Sequence, residues 1–266
     1  MKTAIKNIFS GMVIGSSMLV AGMSGGTTAI ILGIYDKLIK AVSGIFEDFR
    51  KNIFFLLEVA FGGIIGAVIF SKGLLWLTGE FYFPMMYFFM GAVLGSIPLM
   101  VKKSNIGISD IYNVAFAFLG IVSALSVSFI PSDIFEKNFV MLFICGIIIA
   151  VALILPGIST SHIMLVFGIY ETSLKAVSQM DILYISVLGG GILAGTLLFT
   201  KALGNLMQKF PSQTFMTITG FVMASVYDIF PGFPPCPQFI LCILLSACAF
   251  ILICYAAKKF APADLA

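Results

Sequence analysis

Charge is what this sequence has least of. Asp, Glu, Lys and Arg make up 10% of its 266 residues, against about a quarter in an ordinary soluble domain. With 60% hydrophobic residues and a mean hydropathy of +1.12, a water-facing surface is excluded and the chain belongs in a bilayer. The net charge of +3 is small, and the lysines sit at the ends of apolar segments, so no nucleic acid is implied. Cysteine is sparse too. Cys145, Cys236, Cys242, Cys248 and Cys254 contain no CxxC pair, and their six-residue spacing scatters three of them around a helix. They read as small packing thiols, with no metal and no cofactor expected. His162 is the single histidine and Trp76 the single tryptophan; the latter reads as an interfacial belt residue.

What is present instead is a repeat. GMSGGTTAIILGIYDKLIKAVS at residues 22–43 recurs as GISTSHIMLVFGIYETSLKAVS at residues 157–178. The identities include Gly22/Gly157, Ser24/Ser159, Gly33/Gly168, Tyr35/Tyr170 and Lys40/Lys175, and Asp36 faces Glu171. At an offset of 129 the match continues, with Gly66/Gly195, Phe70/Phe199, Lys72/Lys201, Gly91/Gly220 and Ser96/Ser225. The N-terminal stretch resembles a signal peptide in its lysines, apolar run and small residues. Its counterpart NFVMLFICGIIIAVALILPG lies mid-chain, so the first copy is read as structural.

The expected fold is an all-α polytopic membrane protein of two inverted-topology repeats, residues 1–132 and 133–266. Each repeat is a re-entrant helical hairpin (8–35; 139–170) followed by three spans: 53–71, 83–101 and 111–130, then 182–200, 212–229 and 238–257. The pieces flanking each Gly/Ser break are shorter than the ~20 residues of a full crossing. Charge sets the parity. If each motif enters and leaves on one face, Lys2, Lys6, Lys37, Lys40, Arg50, Lys51, Lys102, Lys103, Lys201, Lys209, Lys258 and Lys259 share one side, leaving Lys72, Lys137 and Lys175 opposite. The positive-inside rule then makes both termini cytoplasmic, and an odd number of crossings inverts the second half.

Backbone interrupted within a membrane needs protein or a wet cavity around it. At the first break Gly25 and Gly26 allow close approach, while Ser24, Thr27 and Thr28 can cap the helix that follows. The second break offers Pro156, Gly157, Ser159, Thr160 and Ser161. Helix starts carry free N–H donors and partial positive charge, which suits a phosphate. GxxxG spacings at Gly11/Gly15, Gly62/Gly66 and Gly191/Gly195 read as helix packing. His162 stands where the first copy has Thr27, as a titratable anion donor or a structural histidine. Glu58 is a membrane carboxylate that suggests coupling to H⁺ or Na⁺, or an interfacial group. Asp228 reads as interfacial. Tyr35 and Tyr170 line a headgroup site or a belt.

The segments AGMSGGT…GIYD at residues 21–36, PGISTS…GIYE at residues 156–171 and GAVLGSIP at residues 91–98 resemble the bacterial polyprenyl-phosphate transporter family. Ala21 replaces the family's proline and His162 its usual apolar residue. The resemblance implies a multi-pass plasma-membrane flippase that returns undecaprenyl phosphate from the outer to the inner leaflet. Combined with the breaks, it assigns a phosphate cradle to Gly22, Ser24, Gly25, Gly26, Thr27, Thr28, Gly157, Ser159, Thr160, Ser161 and His162. Lys40 and Lys201 would draw the headgroup on the cytoplasmic face, Lys72 and Lys175 on the outer face. Two other readings compete. A carrier of a small soluble anion would enclose a polar pocket, whereas a lipid phosphate calls for a cleft open to lipid. Gly22-Met-Ser24-Gly-Gly26 also fits the GxSxG of a serine hydrolase with His162 as base, but a nucleophile elbow follows a soluble strand and Ser24 has a repeat mate.

Overall fold

Because lipid offers no hydrogen bonds, a chain this apolar must satisfy its backbone internally, and it does so with helices. The computed structural model describes residues 2–19, 24–104, 111–126 and 138–260. Among them are twelve helices: α1 (Lys2–Ser17), α2 (Gly25–Ile31), α3 (Tyr35–Ser43), α4 (Phe49–Glu80), α5 (Tyr82–Lys103), α6 (Ile111–Ser126), α7 (Phe139–Ile154), α8 (Thr160–Val166), α9 (Tyr170–Ser178), α10 (Ile182–Lys209), α11 (Pro211–Ile229) and α12 (Cys236–Phe260). Four of these are long and apolar enough to cross a membrane: α4, α5, α10 and α12 over Cys236–Ala256. Residues Tyr112–Ser126 and Phe139–Ile154 form shorter apolar helices.

Two boundaries differ from expectation. The spans expected at 53–71 and 182–200 lie inside helices of 32 and 28 residues, which at 1.5 Å per residue run for roughly 48 and 42 Å. Helix formers continue past the apolar stretch, so hydropathy marks where the bilayer lies and not where the helix stops. The hairpins expected to end at 35 and 170 instead lead directly into α3 and α9, nine-residue helices starting at Tyr35 and Tyr170.

Small residues set the packing. Helix α1 lies along α4, α7 along α10, α5 along α12 and α6 along α11. Between helices in lipid, close backbone approach replaces hydrophobic burial as the source of attraction. A Cβ added at Gly62 would overlap the Ile8 carbonyl, and one at Gly11 the Val59 carbonyl. Gly191 stands against the Phe143 carbonyl, Gly91 against Ser246 and Gly220 against Ala117 in the same way. The GxxxG spacings are therefore packing sites, as their spacing indicates. Gly62→Ala should cost about 2 kcal/mol of stability through overpacking, read as a lowered melting temperature in detergent; Gly73→Ala, with open space around it, should not.

The largest core cluster joins α2 and α3 to α5, α10 and α11 through Ile30, Tyr35, Met100, Leu203, Phe215 and Ile218. A smaller cluster holds α8 against α7 and α10 through Ile149, Ile163, Val166 and Leu188. The first break is thus part of the main core, and the second hangs from a satellite of it.

Candidate functional site

Each break is shaped by its own sequence. Ser24, in extended conformation, caps α2, its Oγ accepting from the Gly26 N–H at 3.2 Å. Helix α2 ends at Gly33, whose φ of 69° suits glycine. There the Ile34 N–H donates to the Ala29 carbonyl at 3.0 Å and the Gly33 N–H to Ile30 at 2.9 Å, a Schellman ending. The second copy repeats it: Gly168 has φ 64°, Ile169 N–H donates to Met164 at 3.0 Å and Gly168 N–H to Leu165 at 2.9 Å. This local requirement explains why Gly-Ile-Tyr is identical in both motifs. At the second start, Gly157 takes φ 85° and Ser159 makes no side-chain cap bond; its hydroxyl pairs with Ser161 at 3.0 Å.

The two breaks meet. A Cβ on Gly26 would lie 3.2 Å from the Pro156 backbone, and the Tyr35 hydroxyl donates to the Ile154 carbonyl at the end of α7 at 3.0 Å. Thr28 and Ser17 hydroxyls bond at 2.7 Å. The Thr27 hydroxyl, 1% exposed, has no partner, which leaves a buried donor free for a ligand oxygen. An apolar cavity of about 250 Å³ flanks Gly25 and Gly26 and is also lined by Tyr35, Ile154, Thr196 and Thr200. Gly22 lies outside the described residues.

The copies are not equivalent. Gly26 through Ile31 are all buried, whereas in α8 only Ile163 and Val166 are, with Ser159 and Thr160 half-buried and Ser161 exposed. Helix α2 touches α5, α7 and α12, while α8 rests mainly on α7 and α9. Helix α3 lies against α10, and α9 has no comparable packing on α4. Tyr35 is buried; Tyr170 is half-buried.

That difference sorts the lysines. Lys40 and Lys201 line one cavity of about 550 Å³ between α3 and α10, together with Asp36, Glu47, Asn205 and Gln208. Asp36 is held by Lys103 at 2.6 Å, and the Lys103 ammonium sits 5.4 Å from the centre of the Phe215 ring. Lys72 and Lys175, on α4 and α9, are both exposed and their helices do not close on each other. Glu58 accepts from Asn7 Nδ2 at 2.6 Å; Lys37 donates to Asn7 Oδ1 at 3.4 Å and covers the Phe55 ring at 3.9 Å. Its carboxylate is satisfied within a tie among α1, α3 and α4. His162 lies within electrostatic reach of Asp228, a residue the sequence marks only as interfacial. No periodicity links 162 to 228 or Asp36 to Lys103; both pairs come from packing.

A second cavity of about 550 Å³ opens between α6, α10 and α11, lined mainly by apolar residues such as Phe116, Leu155, Phe199, Leu203 and Phe221. Its rim residues Tyr112, Leu206 and Phe210 are exposed on the perimeter. The cavity is a cleft open at the protein's surface, reaching Leu155 beside the second break.

Comparison with known proteins gives a consistent result. The sequence profile of a family described as Undecaprenyl phosphate translocase-like matches residues 14–234. A Polyprenyl-phosphate transporter of Staphylococcus aureus is 32% identical over 251 residues, covering 86% of this chain and 87% of that protein. A Polyprenyl-phosphate transporter of Vibrio cholerae serotype O1 is 30% identical over 243 residues, covering 85% and 78%. No solved structure matches.

Proposed function

The chain belongs to the undecaprenyl phosphate translocase-like family, and from that premise we propose that it carries polyprenyl phosphate from the outer to the inner leaflet of the bacterial plasma membrane. The observation that carries the proposal is the meeting of the two Gly/Ser breaks at Gly26 and Pro156. Around that junction the phosphate is held by the amides and hydroxyls of Ser24, Gly25, Gly26, Thr27 and Thr28 with Gly157, Ser159, Thr160 and Ser161. Gly22 completes the cradle, and His162, within electrostatic reach of Asp228, supplies a ring N–H donor. Apolar cavities flank both breaks, which favours a cargo with a hydrocarbon tail over a small soluble anion. Ser24 Oγ accepts from the Gly26 N–H, so its own O–H proton is the donor it offers a phosphate oxygen.

The halves 1–132 and 133–266 act as inverted repeats. In support, α1–α4 packing recurs as α7–α10, and α5–α12 as α11–α6, each with its equivalent glycine contacts. With the lysine-rich ends cytoplasmic, the buried first break is closed to the cytoplasm and the exposed second break is open to the outer face. Rocking one half against the other exchanges these states.

In proteoliposomes the protein should move undecaprenyl phosphate between leaflets, and a pH or Na⁺ gradient should show which ion drives net movement. Substituting Ser24→Ala together with Ser159→Ala removes two hydrogen bonds to a charged ligand, each worth about 1.5–3 kcal/mol. The rate should fall at least tenfold. A double variant as fast as wild type removes the cradle; a wild-type protein that moves no lipid phosphate removes the function.

A further inference from the structure

Helices α10 and α11 are joined directly at Phe210, which ends one and begins the other, yet cavities lie on both sides of their contact. Successive residues of α10 alternate between them. Lys201, Asn205 and Gln208 face the polar cavity shared with Lys40; Phe199, Leu203 and Leu206 face the apolar one. Each cavity measures about 550 Å³. On α11, Phe215 borders the polar cavity while Thr214, Thr217, Ile218 and Phe221 border the apolar one. Leu203 lines the apolar cavity and Phe215 the polar one, and both are buried in the main core cluster. Phe215 is capped by the Lys103–Asp36 pair, and Ser212 Oγ ties the start of α11 to the Ser104 carbonyl at 2.8 Å.

An anionic headgroup on a long hydrocarbon chain needs this combination: a polar chamber that offers two lysines and a greasy groove on another side of the same helix α10, the groove opening at exposed apolar residues. We infer that the α10–α11 crevice is the lateral passage for the isoprenoid chain, with the phosphate crossing the Lys40/Lys201 chamber on its way between the cytoplasmic face and the two breaks, and the first isoprene units in the Phe199/Phe221 groove. The remainder of the chain stays in the bilayer beyond the exposed Leu206 and Phe210 rim. Phe215 is the door between the two. At the offset of 129, Phe70, Leu74, Leu77 and Phe81 repeat Phe199, Leu203, Leu206 and Phe210, so the α4–α5 crevice serves the opposite leaflet. This rests on polyprenyl phosphate being the cargo.

The test is photolabelling of the full-length wild-type protein in proteoliposomes, using undecaprenyl phosphate with a diazirine in an isoprene unit next to the phosphate. Adducts should map to Phe199–Phe210 of α10 and Gln213–Phe221 of α11, and excess unlabelled undecaprenyl phosphate should suppress them at least tenfold. Adducts confined to other helices, or insensitive to competition, overturn the passage. Filling the groove with Thr217→Trp should slow lipid translocation at least tenfold while leaving the melting temperature within a few degrees of wild type. A folded Thr217→Trp protein that transports at the wild-type rate also overturns it. Competed adducts in the groove without any translocation by the wild type would sustain the passage and defeat the transport function instead.

Discussion

Replacing Gly157 by valine should destabilise the protein by about 4 kcal/mol and abolish lipid translocation, whereas valine at Gly189 should leave both unchanged. Two independent costs add at Gly157. Its φ of 85° is a left-handed conformation that costs an L-residue about 1–2 kcal/mol, and a β-branched side chain fares worst there. Added atoms would also collide with the backbone of Phe221 and Val222, an overpacking penalty of about 1–3 kcal/mol. Backbone does not swing aside as a side chain does, so the break must move off α11. That displaces Pro156 from Gly26 and opens the junction of the two breaks. Gly189 sits in open space within α10 and provides the control. Thermal melting in detergent and leaflet sidedness in proteoliposomes read the two effects separately. A Gly157→Val protein that melts with the wild type would mean the left-handed turn against α11 is misplaced.

The second large effect is electrostatic. Reversing both charges with Lys40→Glu and Lys201→Glu should reduce translocation about a hundredfold. A charge-assisted bond to phosphate is worth about 1.5–3 kcal/mol, and reversal adds repulsion to the loss. Both residues line one cavity that already holds Glu47 and the Lys103-bound Asp36, so two further carboxylates turn an anion chamber into an anion barrier. Lys102→Glu, at the exposed end of α5, reverses one charge outside the cavity, half the change in net charge, and should alter the rate less than threefold. The defect should appear as weaker apparent affinity, and the wild-type advantage should shrink as salt rises. Equal rates for the double variant and Lys102→Glu would reduce these lysines to topology signals.

Much of this was legible in the chain. Hydropathy and charge spacing marked the helices, and the GxxxG positions marked where they touch, because close approach in lipid needs small residues at helical spacing. Gly33 and Gly168 carried their own meaning, since the ending of α2 and α8 is decided within six residues. Glu58 was not legible. Its partner Asn7, fifty-one positions away, reaches the carboxylate only in the fold. Nor was the relation of Asp228 to His162, which come within electrostatic reach of each other only across the fold.

What the sequence determined by itself is the membrane setting, the duplication, the two breaks and the small-residue seams, all consequences of local composition and period. Tertiary structure alone decided which break is buried, that Lys40 and Lys201 share a chamber while Lys72 and Lys175 stand on helices that do not pack on each other, and that Lys103, paired with Asp36, faces the Phe215 ring. Two copies of nearly the same motif carry nearly the same local preferences. The packing of α2 on α5, α7 and α12 and of α3 on α10, with no comparable packing of α8 and α9, breaks the tie.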